Sequence, residues 1–142
     1  MKVKIKQSDC KFYVNKENRV VVCVISNTRH MVSDFLDDIL FDDISFDISY
    51  SFYRKLEMPD TFIGKAVCAA EDEWDEELGK KIAYSRAKEK LYTSFFKRAT
   101  LYAQTIDRRL EELVDRCNAL GDAVTDNKNR FDSEIAEYLK KE

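Results

Sequence analysis

Between Leu78 and Leu110 lie nine basic residues, Lys80, Lys81, Arg86, Lys88, Lys90, Lys97, Arg98, Arg108 and Arg109, opposed only by Glu89 and Asp107. Five aromatics, Tyr84, Tyr92, Phe95, Phe96 and Tyr102, are interleaved with them. Steps of three or four residues return to the same side of a helix, so Arg86, Lys90 and Lys97 share one stripe. Guanidinium and ammonium groups beside aromatic rings suit a phosphate-bearing ligand whose base stacks on a ring. The competing reading is a solvated helix face whose cations pair weakly with carboxylates elsewhere.

Other chemistry finds less support. The aspartates at 34, 37, 38, 42, 43 and 47 are not set in the tight glycine-containing loop that a calcium site needs. They read as a solvated face. Glu71–Glu77 reads as carboxylates complementing the positive end of a helix dipole rather than as acid–base machinery. His30 is the single imidazole, and no G-x-S-x-G elbow or phosphate-cradling glycine loop accompanies it. Cysteines 10, 23, 68 and 117 form no C-x-x-C pair and read as reduced, structurally inert thiols. The expectation is a chain with no catalytic residues, no metal and no cofactor.

The elements that must carry these groups follow from periodicity. With 142 residues, 44% hydrophobic and 36% charged, the chain reads as one folded domain. Residues 1–70 are mainly β-sheet and 71–142 mainly helical and oligomerising. A hairpin-like pair of short strands is expected over 3–14, and Asn15–Asn18 is a polar turn. Val20–Ile25, a continuous β-branched run, reads as a strand buried on both faces. Val32, Phe35, Leu36, Ile39 and Leu40 give a short amphipathic helix with Ser33 as N-cap. From Ile44 to Tyr53 the period is two, which predicts a half-buried strand. Pro59 and Asp60 make a turn before another strand at Thr61–Ala69, where Gly64 marks a bulge or a close backbone approach.

Beyond Ala70 the pattern is helical. Steps of four and three from Leu78 meet polar residues only at Ser85 and Glu89, and the seam from Tyr92 to Val124 is unbroken. A continuous helix from Asp72 to Leu120 would be roughly 70 Å long. It needs a second helix at about 130–140, or a second chain, to cover its seam. The fold class is therefore α+β, an N-terminal antiparallel sheet with a short helix followed by long amphipathic C-terminal helices. No apolar run is long enough to span a membrane, and the start lacks the apolar core of a signal peptide. The net charge of −3 argues against a general nucleic-acid partner.

The segment Phe62-Ile-Gly-Lys-Ala-Val-Cys-Ala-Ala-Glu-Asp72, followed by Leu78-Gly-Lys-Lys-Ile-Ala-Tyr-Ser-Arg-Ala-Lys-Glu-Lys90, resembles small phage and prophage proteins. In these a strand ends in G-x-A-x-C and a helix carries G-x-x-I-A-x-x-R-A-x-x-K. Gly79, Ala83, Arg86, Ala87 and Lys90 share one face, where small residues permit close backbone approach and the cations reach past the contact. The layout resembles the first type of phage Thoeris anti-defence protein. That resemblance implies a sponge in the bacterial host cytoplasm that sequesters a cyclic ADP-ribose-type signal, glycocyclic ADP-ribose, without cleaving it. Its partners would be the small cyclic adenine nucleotide and further copies of itself. From charge and aromatic placement, Arg86 and Arg109 are the first candidates for the phosphates, followed by Arg98, Lys65, Lys90 and Arg29. Phe62 or Phe95 is the candidate to stack on adenine. The alternative is a helical interaction module that docks on a host protein.

Overall fold

The computed structural model describes residues 4–40 and 54–141, with side chains of 37–40 excepted. The strand expected over Ile44–Tyr53 lies outside the described residues. The chain divides into two compact units, 1–102 and 103–142.

The first unit holds a three-stranded antiparallel sheet, β1 (Lys11–Asn15), β2 (Val20–Ser26) and β3 (Thr61–Val67), in the order β1-β2-β3. The β1–β2 turn is closed by side chain and backbone together. Asn18 N–H donates to Asn15 Oδ1 at 3.0 Å, Arg19 N–H donates to the Lys16 carbonyl at 3.2 Å, and Arg19 sits at φ 55°. Among the described residues of the expected hairpin over 3–14, the strand begins only at Lys11 and runs on to Asn15. Gln7–Asp9 is a 3-10 turn instead, because the Asp9 carboxylate accepts from Lys6 N–H at 3.2 Å and captures the backbone locally.

The β2 strand is not buried on both faces as its composition suggests. Val21, Cys23 and Ile25 are buried, whereas Val20, Val22 and Val24 on the opposite face are only half-buried. Its neighbour β3 alternates likewise, with Phe62, Gly64 and Ala66 inward and Ile63, Lys65 and Val67 outward. Beyond β2, Asn27 adopts φ 61° and turns the chain into α1 (Met31–Leu40). Ser33 lies inside α1 rather than capping it, and its hydroxyl donates back to the His30 carbonyl at 2.9 Å. Fully buried Thr28 pins this corner. Its hydroxyl donates to the Pro59 carbonyl, and Met58 N–H donates to the Arg29 carbonyl at 3.0 Å.

The long helix α2 runs Glu76–Lys140. It starts four residues later than the acidic run suggests, because Asp75 is its cap: Oδ1 accepts from Leu78 N–H at 3.0 Å. It also passes through Gly121 without a break, so the separate helix expected near 130–140 is a continuation of α2. Within the first unit, Gly79, Ala83, Ala87 and Leu91 follow one another at steps of four; the first three pack on the sheet, and Leu91 is fully buried. The buried apolar core of this unit also holds Val21, Cys23, Ile25, Phe62 and Ala66 from the strands, Val32 and Leu36 from α1, and Leu56 and Met58. In the second unit, the apolar side chains Leu110, Leu113, Leu120, Val124 and Phe131 are exposed.

Candidate functional site

The packing of α2 on β3 decides where its cations go. A Cβ at Gly64 would collide with the Ala83 carbonyl oxygen and the Ala87 amide nitrogen, and one at Gly79 would come within 2.8 Å of Val21 Cγ2. The close approach expected at Gly64 is thus present, and it is strand-to-helix. At this separation the longer cations flanking the small stripe reach the strand backbone. Arg86 Nη1 donates to the Lys65 carbonyl at 2.7 Å, and Lys90 Nζ donates to the Ile63 carbonyl at 2.8 Å. Strand β3 is at the edge of the sheet among the described residues, so these contacts satisfy acceptors that no strand there pairs.

From Glu89 onward the same helix lines an open depression of 570 Å³ formed by Glu89, Lys90, Thr93, Ser94, Lys97 and Arg98. These residues form two columns, Glu89–Thr93–Lys97 and Lys90–Ser94–Arg98, each advancing by four along α2. Arg98 is held by two residues. Its Nε donates to the Glu57 carbonyl at 3.0 Å, and Nη1 donates to the Ser94 carbonyl at 3.3 Å and to the Ser94 hydroxyl. A guanidinium fixed in this way loses little further freedom when its remaining N–H groups meet an anion. Lys97 is exposed and has no bonded partner among the described residues. The lining thus holds three cations, one carboxylate and two hydroxyls. The volume falls within the 300–1,000 Å³ (approximately) that small-molecule sites occupy.

Lys90 and Arg98, candidates from sequence, therefore share this depression. Arg86 and Lys65 meet elsewhere, at the β3 edge, where the Arg86 guanidinium is engaged by backbone. Arg29 is exposed in the β2–α1 corner, and its carbonyl is used by Met58. Phe62 is only 8% exposed and belongs to the core, which leaves no free ring face for stacking. Phe95 is half-buried and meets Phe35 edge-on, with centroids 5.2 Å apart at 70°. Arg109 is exposed and lies in the second unit. Thr93 and Ser94 were not singled out in the sequence. Their signal was the helical column that carries them between charged residues, and isolated hydroxyls give no charge pattern to notice.

Other cations of α2 are engaged locally. Lys80 pairs with Glu76 at 3.4 Å and Glu77 at 3.7 Å, and Lys88 Nζ lies 5.5 Å from the Tyr84 ring centroid and 5.3 Å from that of Tyr92. Cys10, Cys23, Cys68 and Cys117 are all free thiols. Among the described residues no group of three or more His, Cys, Asp or Glu side chains could hold a metal ion, and no helix is long and apolar enough to cross a membrane. Compared with known proteins, the chain matches no family model, no curated protein and no solved structure.

Proposed function

We propose that the protein is a viral anti-defence sponge. It binds a cyclic ADP-ribose-type nucleotide such as glycocyclic ADP-ribose, made by TIR-domain immunity in the host cytoplasm, and sequesters it uncleaved. The observation that carries this reading is the cationic depression on α2, lined by Lys90, Lys97 and Arg98 together with Thr93 and Ser94. A doubly anionic pyrophosphate ring needs fixed donors and cations, and Arg98 offers a guanidinium already oriented by Glu57 and Ser94. Retention without cleavage needs no activated nucleophile or general base. The described lining contains one carboxylate, Glu89, and neither imidazole nor thiol. The resemblance of the 62–90 segment to small phage and prophage proteins, and of the sheet-then-long-helix layout to phage Thoeris anti-defence proteins, supports the same reading.

The test is calorimetry with cyclic ADP-ribose on the intact protein, followed by heating and chromatography of the released nucleotide. Binding with recovery of the unaltered ring is the expected result. Removing a charge-assisted contact costs about 1.5–3 kcal/mol, roughly ten- to a hundredfold in affinity. Lys97→Ala and Arg98→Ala are expected to lose affinity in that range. If Arg109→Ala loses affinity while those two variants keep it, the ligand sits elsewhere. If no cyclic adenine nucleotide binds the wild type, the sponge reading fails.

One observation favours the second reading, a helical interaction module that docks on a host protein. The second unit exposes Leu110, Leu113, Leu120 and Val124 along one stretch of helix, a surface suited to another helix rather than to a nucleotide.

A further inference from the structure

We propose that α2 pairs antiparallel with the α2 of a second copy of this chain, through the seam of the 103–142 unit. Within that unit Ala103, Ile106, Leu110, Leu113, Cys117, Leu120 and Val124 recur at alternating steps of three and four. This is the spacing with which one helix keeps a single face against another. Leu110 is 51% exposed, Leu113 57% and Leu120 67%. Within their own unit nothing covers them.

Charge identifies the occupant as a second copy and sets its direction. Residues 78–110 carry nine basic side chains against two acidic ones, whereas 111–142 carry nine acidic against five basic. A parallel pair would lay basic half on basic half and acidic on acidic. An antiparallel pair lays each basic half along an acidic one, and the sign change falls between Leu110 and Glu111. The seam register nearest to crossing at that point sets Leu110 against the partner's Leu113. The same register sets Ile106 against the partner's Cys117, and Ala103 against the partner's Leu120, a small residue facing a large one. Arg109 then lies beside the partner's Arg116, but Glu112 follows Arg109 by three positions on its own helix and supplies a local counter-charge. The pairing is isologous, as a two-fold dimer requires. It does not depend on the nucleotide reading.

The experiment uses the full chain at micromolar concentration, first by sedimentation velocity in low and high sodium chloride. A mass about twice 16.7 kDa that shifts toward monomer as salt rises is expected, because screening weakens opposite-charge attraction. Parallel pairing would respond the other way. The second measurement is oxidation with glutathione disulfide. Ile106→Cys is expected to give a covalent dimer that disappears when Cys117→Ser is added, whereas wild type gives none. A monomer at low salt, strengthening by salt, a wild-type dimer linked through Cys117, or no cross-link in the Ile106→Cys protein would each overturn the proposal. A stable complex only with another protein would do so as well.

Discussion

Gly64 shows how one missing methyl group sets the geometry of the first unit. Its Cα faces the backbone of α2 at Ala83 and Ala87, so any side chain there would push strand and helix apart. Neither neighbour is a flexible side-chain end that could swing away. Gly64→Ala is expected to destabilise the fold by about 3 kcal/mol or more, at the upper end of overpacking costs, as read from urea unfolding. A change below 0.5 kcal/mol, roughly the size of a neutral surface substitution, would show that the helix moves freely there. Cys23, on the neighbouring strand, is a thiol with a different kind of constraint. Burial first, and then the neighbouring Cys10, push its pKa from 9.0 up to about 12. The folded state therefore holds this proton more tightly than the unfolded chain. Stability is unaffected below about pH 9 and falls as the pH rises toward 12. Urea midpoints measured at pH 8 and at pH 10.5 (roughly mid-window) are expected to fall more steeply for wild type than for Cys23→Ala. Equal slopes would mean that the thiol is not shielded.

At the scale of the element, α2 carries two faces with different uses. Its small stripe, Gly79, Ala83 and Ala87, packs on the sheet, while the seam expected to be its contact face, including Leu78 and Phe96, is exposed at 53% and 72%. Bulky residues could not occupy the stripe, because Gly64 lies under its backbone. The sheet therefore selects the smallest side chains rather than the most apolar periodic ones. Arg86 and Lys90 become edge caps for β3 as a result, since they flank that stripe. Gly121 is the opposite case, a glycine in mid-helix with open space around its Cα. Gly121→Ala is expected to raise stability by about 0.5–1 kcal/mol by restricting the unfolded chain. A higher thermal midpoint by circular dichroism, with the helical signal retained, checks this. A lower midpoint would mean that the glycine admits a close neighbour in the assembled protein.

For the whole molecule, the division at Tyr102 separates two kinds of surface. The sheet, α1, the small stripe and the cationic depression all fall within residues 1–102, whereas the exposed seam from Ala103 onward falls in the second unit. A chain ending at Tyr102 is expected to unfold cooperatively in urea and to bind cyclic ADP-ribose. It is also expected to sediment as a monomer. Loss of nucleotide binding in a folded 1–102 chain would assign part of the ligand site to the second unit, where Arg109 lies.

Sequence alone determined the α+β class, the placement of β2 and β3, the presence of a short helix after β2 (though not its start, which lies before Ser33) and the helical character of everything beyond the acidic run. These depend on local periodicity and turn chemistry, which neighbouring residues carry in themselves. It also located the small-residue face with its flanking cations, because steps of four along a helix are fixed by backbone geometry. Only the tertiary structure decided which of the two α2 faces meets the sheet, since that turns on the space left beside Gly64, a long-range property. For the same reason only the fold could sort the cations. Arg86 finds a strand carbonyl and Arg98 finds Glu57, whereas Lys97 remains exposed, and the spacing of charges along one helix does not record what lies opposite it. Phe62 makes the point from the other side. Its ring was legible as a stacking platform in sequence, yet the inward phase of β3 commits it to the core.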